Sequence, residues 1–168
     1  MATFTYTDLF SDLDKWPGHL LEVTTPVTFL AKTATSFTFR FPATGVDFPN
    51  YRVTITGSGF TYDGDVATGG DVTQLQVRNG AGQVVFTISG ITASSLADDL
   101  SLLYYDMFGA DGDNGPDPSG KTAWSHLLSG NDVFTGTANS DWQWLPGTDA
   151  GDDTYNMGQG DDQVQGGI

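Results

Sequence analysis

Four nine-residue segments stand near the C-terminus in one register: Leu127–Thr135 (LLSGNDVFT), Gly136–Trp144 (GTANSDWQW), Thr148–Asn156 (TDAGDDTYN) and Met157–Gln165 (MGQGDDQVQ). Leu145-Pro146-Gly147 is inserted between the second and third. The sixth position is always Asp, at Asp132, Asp141, Asp153 and Asp162. The fourth is Gly130, Gly151 and Gly160, with Asn139 the exception, and the eighth is Phe134, Tyr155 and Val164, with Gln143 the exception. A nine-residue unit cannot enclose a core of its own, so the units must stack and bury the apolar eighth residue between neighbours. Gly166-Gly167-Ile168 opens a fifth unit, so the chain is expected to be a fragment of a longer one.

The charge is concentrated in the same region. Of 21 acids against 6 bases, only Glu22 is not Asp. Residues 1–92 carry a net −3 and residues 93–168 a net −12. Asp is short, tolerates turns and keeps its carboxylate close to the backbone, whereas an acidic surface made for solubility would mix in Glu. This excess calls for a cationic partner and argues against nucleic acid, which is bound through Lys and Arg.

The repeat resembles the RTX family, the haemolysin-type calcium-binding nonapeptides of the form G-G-x-G-x-D-x-U-x. The likeness covers a quarter of the chain. It implies a short parallel β-roll in which six residues of each unit turn around calcium and three form a strand. Two units make one coil, so turns stack two repeats apart and Asp132 comes near Asp153, Asp141 near Asp162. The implied calcium ligands are Gly130, Asn131, Asp132, Asp141, Gly151, Asp152, Asp153, Gly158, Gly160, Asp161 and Asp162. Calcium takes about six to eight oxygens, which Asp side chains and main-chain carbonyls of Gly-rich turns can supply. The second unit departs from the pattern by Asn139 and by Trp142 and Trp144 flanking Gln143.

The remainder fits an all-β class. Leu20–Leu30, Ser36–Phe41, Tyr51–Tyr62, Val72–Val77 and Val84–Ile91 are rich in Thr, Val, Ile and aromatics, between Gly, Pro, Asp and Asn. Alternation in Phe37-Thr-Phe39-Arg-Phe41 gives one buried and one wet face, and Asn79-Gly80 signals a hairpin. The expected architecture is an N-terminal antiparallel, sandwich-like β domain (1–92), a linking segment (93–123) and a β-roll (124–168). The link holds an amphipathic helix, Ser94–Phe108, striped by Leu96, Leu100, Leu103 and Met107 and opened by Ser95 and Asp98. Residues Gly109–Gly120 follow as an acidic loop, where Asp111, Asp113 and Gly115 start like an EF-hand without its closing Glu.

Catalysis finds no foothold. His19 and His126 stand in no motif, and no nucleophile elbow, Walker loop or HExxH is present. With no cysteine, thiol chemistry, disulfides and zinc knuckles are excluded. No apolar run is long enough to span a membrane, and MATFTYTDLF lacks the features of a secretory signal. The expectation is a non-enzymatic, calcium-binding structural module of a secreted, extracellular bacterial protein. By the resemblance it would leave by type I secretion and fold on meeting calcium outside. The alternatives are a calcium-dependent adhesin or self-assembling surface protein, with a cell-surface or self-assembly partner, and a carbohydrate-binding module built on Trp142 and Trp144.

Overall fold

The computed structural model describes residues 2–7, 27–44, 49–91, 130–144 and 151–165. Ten strands form there: β1 (Thr3–Tyr6), β2 (Thr28–Lys32), β3 (Ser36–Arg40), β4 (Arg52–Asp63), β5 (Val66–Arg78), β6 (Val84–Ser89), β7 (Val133–Thr135), β8 (Trp142–Trp144), β9 (Thr154–Asn156) and β10 (Gln163–Gln165). Eight of them make one sheet in the order β2-β3-β4-β5-β6-β1-β7-β9, and β8 and β10 pair separately.

The sequence explains the sheet through its alternation. One row of side chains crosses seven strands in register: Phe37, Ile55, Leu75, Ile88, Phe4, Phe134 and Tyr155. A second row runs Phe29, Phe39, Val53, Val77, Phe86 and Tyr6. Most of these side chains are buried, while Thr38 and Thr54 between them hydrogen-bond across β3 and β4 at 3.0 Å. The cross-strand pair is what stabilises a sheet, and here the same apolar row serves every junction.

The long β4–β5 hairpin needs glycine at its bulge. A Cβ on Gly57 would lie 1.7 Å from the Asp71 carbonyl oxygen, and this closeness brings Phe60 against Phe37, 5.3 Å between ring centroids. At the β5–β6 turn Asn79 Oδ1 accepts the N–H of Ala81 and of Gln83, and Gly82 takes φ +86°. That self-capped Asn is the reason the hairpin closes here.

Two expectations about architecture are corrected. The N-terminal strands form one antiparallel sheet rather than a sandwich, and the other sheet among the described residues is the two-stranded pair of β8 and β10 from the repeats. The repeats do not curl into a β-roll. The first and third units instead extend that sheet as the parallel strands β7 and β9, and the sheet stays open between β2 and β9. The cause is β1, which pairs antiparallel with β6 and parallel with β7 and so draws the repeats into the sheet. No helix occurs among the described residues, and the expected one, Ser94–Phe108, lies outside them, as does the loop Gly109–Gly120. No helix of the described residues is long and apolar enough to cross a membrane.

Candidate functional site: the carboxylate ladder beside β1

The nine-residue frame sets the local structure. Positions seven to nine of the four units are β7, β8, β9 and β10, and units two apart pair in parallel: Phe134 with Tyr155, Gln143 with Val164. The turn before each strand ends in the Asp of position six. Stacked 21 residues apart, each later Asp reaches back to the backbone of the earlier turn. Asp153 Oδ1 accepts the Asp132 N–H at 2.8 Å, and Asp162 Oδ1 accepts the Asp141 N–H at 2.9 Å. The return bonds run Thr154 N–H to the Asp132 carbonyl and Gln163 N–H to the Asp141 carbonyl, both 2.8 Å.

The preceding position adds a second rung. The Asp152 N–H donates to Asn131 Oδ1 at 3.0 Å, and the Asp161 N–H to Ser140 Oγ at 3.2 Å. The turns are pressed together at the glycines. A Cβ on Gly151 would lie 1.9 Å from the Gly130 carbonyl oxygen, and one on Gly158 equally close to that of Thr137. Gly130 and Gly160 have φ of +120° and +129°, open to glycine without a Cβ clash.

The ladder does not begin with the repeats. β1 supplies its first rung: the Ala2 N–H donates to Asp132 Oδ1 at 2.5 Å, and the Val133 N–H donates to the Ala2 carbonyl at 3.0 Å. Ala2 thus occupies the place that Asp132 takes towards Asp153. The rings follow the same step, with Phe4 stacked on Phe134 at 4.6 Å and Phe134 on Tyr155 at 4.9 Å. Ala2 carries no sequence signal for this role. Ser140 could have been found by its 21-residue offset from Asp161.

The electrostatics are uneven. Asp141 is buried, its Oδ2 taking the Thr137 N–H at 2.6 Å and both oxygens lying 3.2 Å from the Thr137 hydroxyl. Asp132 is 1% exposed, and its Oδ2 is buried without a hydrogen-bond partner. Burial pushes the Asp132 carboxyl above its ordinary range; the Ala2 N–H opposes that shift, and the Asp153 charge adds to it.

In this arrangement the expected calcium ligands meet across neighbouring turns. Gly130, Asn131 and Asp132 meet Gly151, Asp152 and Asp153, while Asp141 meets Asp162, and Gly158, Gly160 and Asp161 lie against Thr137, Asn139 and Ser140. What joins them is hydrogen bonding from backbone N–H groups to one oxygen each of Asp153 and Asp162, of Asn131 and of Ser140. Among the described residues, no three or more His, Asp or Glu side chains are grouped to hold a metal ion. No family model matches the sequence, and no curated protein or solved structure matches it. The RTX resemblance is therefore a shared spacing that neither a family match nor a curled roll accompanies, and calcium-coupled folding loses its structural basis. The adhesin and surface-assembly alternatives rested on that roll and go with it. The sugar-binding alternative finds no site among the described residues, in which Trp142 and Trp144 are placed only as the ends of β8.

Proposed function

We propose that this chain is a non-catalytic docking module that holds a parallel β-strand of a partner protein on the β9 edge. The observation that supports it is the ladder. The step from β1 to β7 recurs from β7 to β9, each strand receiving the next through an Asp oxygen and an aromatic ring. On the outer side of β9 no further strand is paired among the described residues, so the same step stands open. A fitting strand brings an Asp to accept the Asp153 N–H and an aromatic residue two positions later to cover Tyr155. Strand addition of this kind draws affinity from backbone hydrogen bonds and specificity from alternate side chains.

The other edge is built to refuse a partner. β2 is bulged between Phe29 and Ala31, and Lys32 bonds Asp65 at 2.6 Å and the Gly64 carbonyl at 2.5 Å. A bulge and a lysine are the usual means of blunting an edge. The test is a synthetic peptide of the sequence TDAGDDTYN added to the isotope-labelled chain. Saturable amide shifts at Thr154–Asn156, with Kd between about 10 µM and 1 mM, support the reading. Binding should vanish when the peptide's Tyr is replaced by Ser. No shift at β9, or shifts at β2 instead, refutes it.

A further inference from the structure

The wet face of the sheet carries a cationic row. Arg40 lies opposite Arg52, and Arg52 opposite Arg78, in register on the neighbouring strands β3, β4 and β5. Half of the chain's six bases thus stand side by side. They share a face, because opposed residues project to the same side and their chain neighbours Phe39, Val53 and Val77 are buried on the other. Arg52 is exposed, and Arg40 and Arg78 are half-buried. Like charges directly opposite one another destabilise a sheet. Among the described residues no carboxylate is paired with any of the three, whereas Lys32 has Asp65 at 2.6 Å. Arg78 is steadied by its own turn, one guanidinium nitrogen donating to the Gly82 carbonyl at 2.9 Å. A row that breaks a local rule of sheet building, in a chain otherwise rich in acid, marks a surface kept for something other than the fold.

We propose that Arg40, Arg52 and Arg78 form a docking surface for an acidic peptide segment of a partner protein. It is distinct from the β9 edge, since β6, β1 and β7 lie between β5 and β9. Guanidinium groups take carboxylates through paired N–H bonds. Strands stand about 4.8 Å apart, so the row spans about 9.6 Å from β3 to β5. An extended peptide carries alternate side chains about 6.6 Å apart on one side. Two acidic residues with one residue between them therefore fall within the row, each in reach of two arginines. Next to the row Thr38, Thr54 and Gln76 stand in register, and their hydroxyl and amide groups face the main chain of such a segment. The net charge of −15 disfavours nucleic acid and anionic membranes, whose charge is dense and extended. A short acidic segment instead meets only the row, in the part of the chain, residues 1–92, whose net charge is −3. A small anion is matched less well, because sites for small ligands are concave and the row lies on the face of an open sheet.

The test titrates the isotope-labelled full chain with a synthetic peptide of alternating Glu and Ser. Saturable amide shifts at Arg40, Arg52 and Arg78 are expected, with Kd between about 10 µM and 1 mM. They should weaken as salt is raised. Arg52→Gln, at an exposed position, should weaken binding about tenfold or more and leave the amide shifts of β1, β7 and β9 as in the parent. Arg52→Lys keeps the charge without the paired N–H bonds and should restore part of the affinity. Absence of shifts at the row overturns the proposal, as does binding that Arg52→Gln leaves unchanged or an equal response to the same peptide with Gln in place of Glu. An oligothymidylate that binds the row more tightly than the peptide overturns it in favour of nucleic acid. Shifts at the row that appear on raising the protein concentration alone overturn it in favour of a second copy of the chain.

Discussion

Gly151 measures how closely the turns of the repeat are stacked. Its missing Cβ leaves room for the Gly130 carbonyl, which a methyl group would approach to 1.9 Å. Gly151→Ala should therefore destabilise the chain by about 1–3 kcal/mol, as overpacking against rigid backbone does. Gly80→Ala is the control, since its added Cβ would meet Asn50 at an ordinary 3.4 Å, and it should stay within about 0.5 kcal/mol of the parent. Urea midpoints decide between them. Asp132 gives a pH signature at the same scale. Its folded-state carboxyl titrates above the ordinary 3.8, chiefly through burial. Below that value both states are protonated and no penalty exists; above the folded value the charge penalises the fold in full. The parent should thus lose stability relative to Asp132→Asn as pH rises from about 4 to 7. A difference in melting temperature that does not change with pH refutes this. The position-six Asp and position-four Gly were legible in the sequence because a fixed frame repeats them. The meeting of Ala2 with Asp132 was not, because it spans 130 residues and involves a backbone atom that any residue carries.

At the scale of elements, β1 joins two kinds of pairing. Its four residues face β6 antiparallel and β7 parallel, and Phe4 stacks 4.6 Å from Phe134 and lies 6.0 Å from Phe86. Phe4→Ala should cost about 3–5 kcal/mol, the usual range for a buried ring. The loss should not be uniform. β7 and β9 reach the rest of the sheet through β1, whereas β3, β4 and β5 hold one another. Hydrogen exchange should therefore show the amides of Val133–Thr135 and Thr154–Asn156 losing protection well before those of Val53–Thr56, and equal loss across the sheet would contradict the role of β1. Strands β3 to β6 were legible from Thr, Val, Ile and Phe in alternation, and β7 to β10 from positions seven to nine of the repeat. β1 was missed because TFTY is too short to show a period, and its strand character comes from partners at residues 86–89 and 133–135.

For the whole molecule, the decisive fact is that strands β1 to β6 share one sheet with β7 and β9 of the repeats. The boundary in composition and charge near residue 92 is real in the sequence, yet the apolar row runs across it from Ile88 through Phe4 to Phe134. Sequence patterns report which face of a strand is buried, not which distant strand it lies beside, so this continuity had no local signal. It has a direct consequence for the repeats taken alone. Residues 124–168 contain seven Asp and no Lys or Arg, and their strands are three residues long. Without Phe4, one face of the Phe134 ring is bare, and pairs of short strands are not stable alone in water. A fragment of residues 124–168 should therefore lack β-sheet circular dichroism, and mixing it with residues 1–123 should restore that signal together with dispersed amide shifts. Phe4→Ala in the longer fragment should prevent the recovery. If 124–168 instead folds by itself, with β7 as protected as in the full chain, then β1 is an ornament of the sheet's edge and not the strand on which the repeats are built.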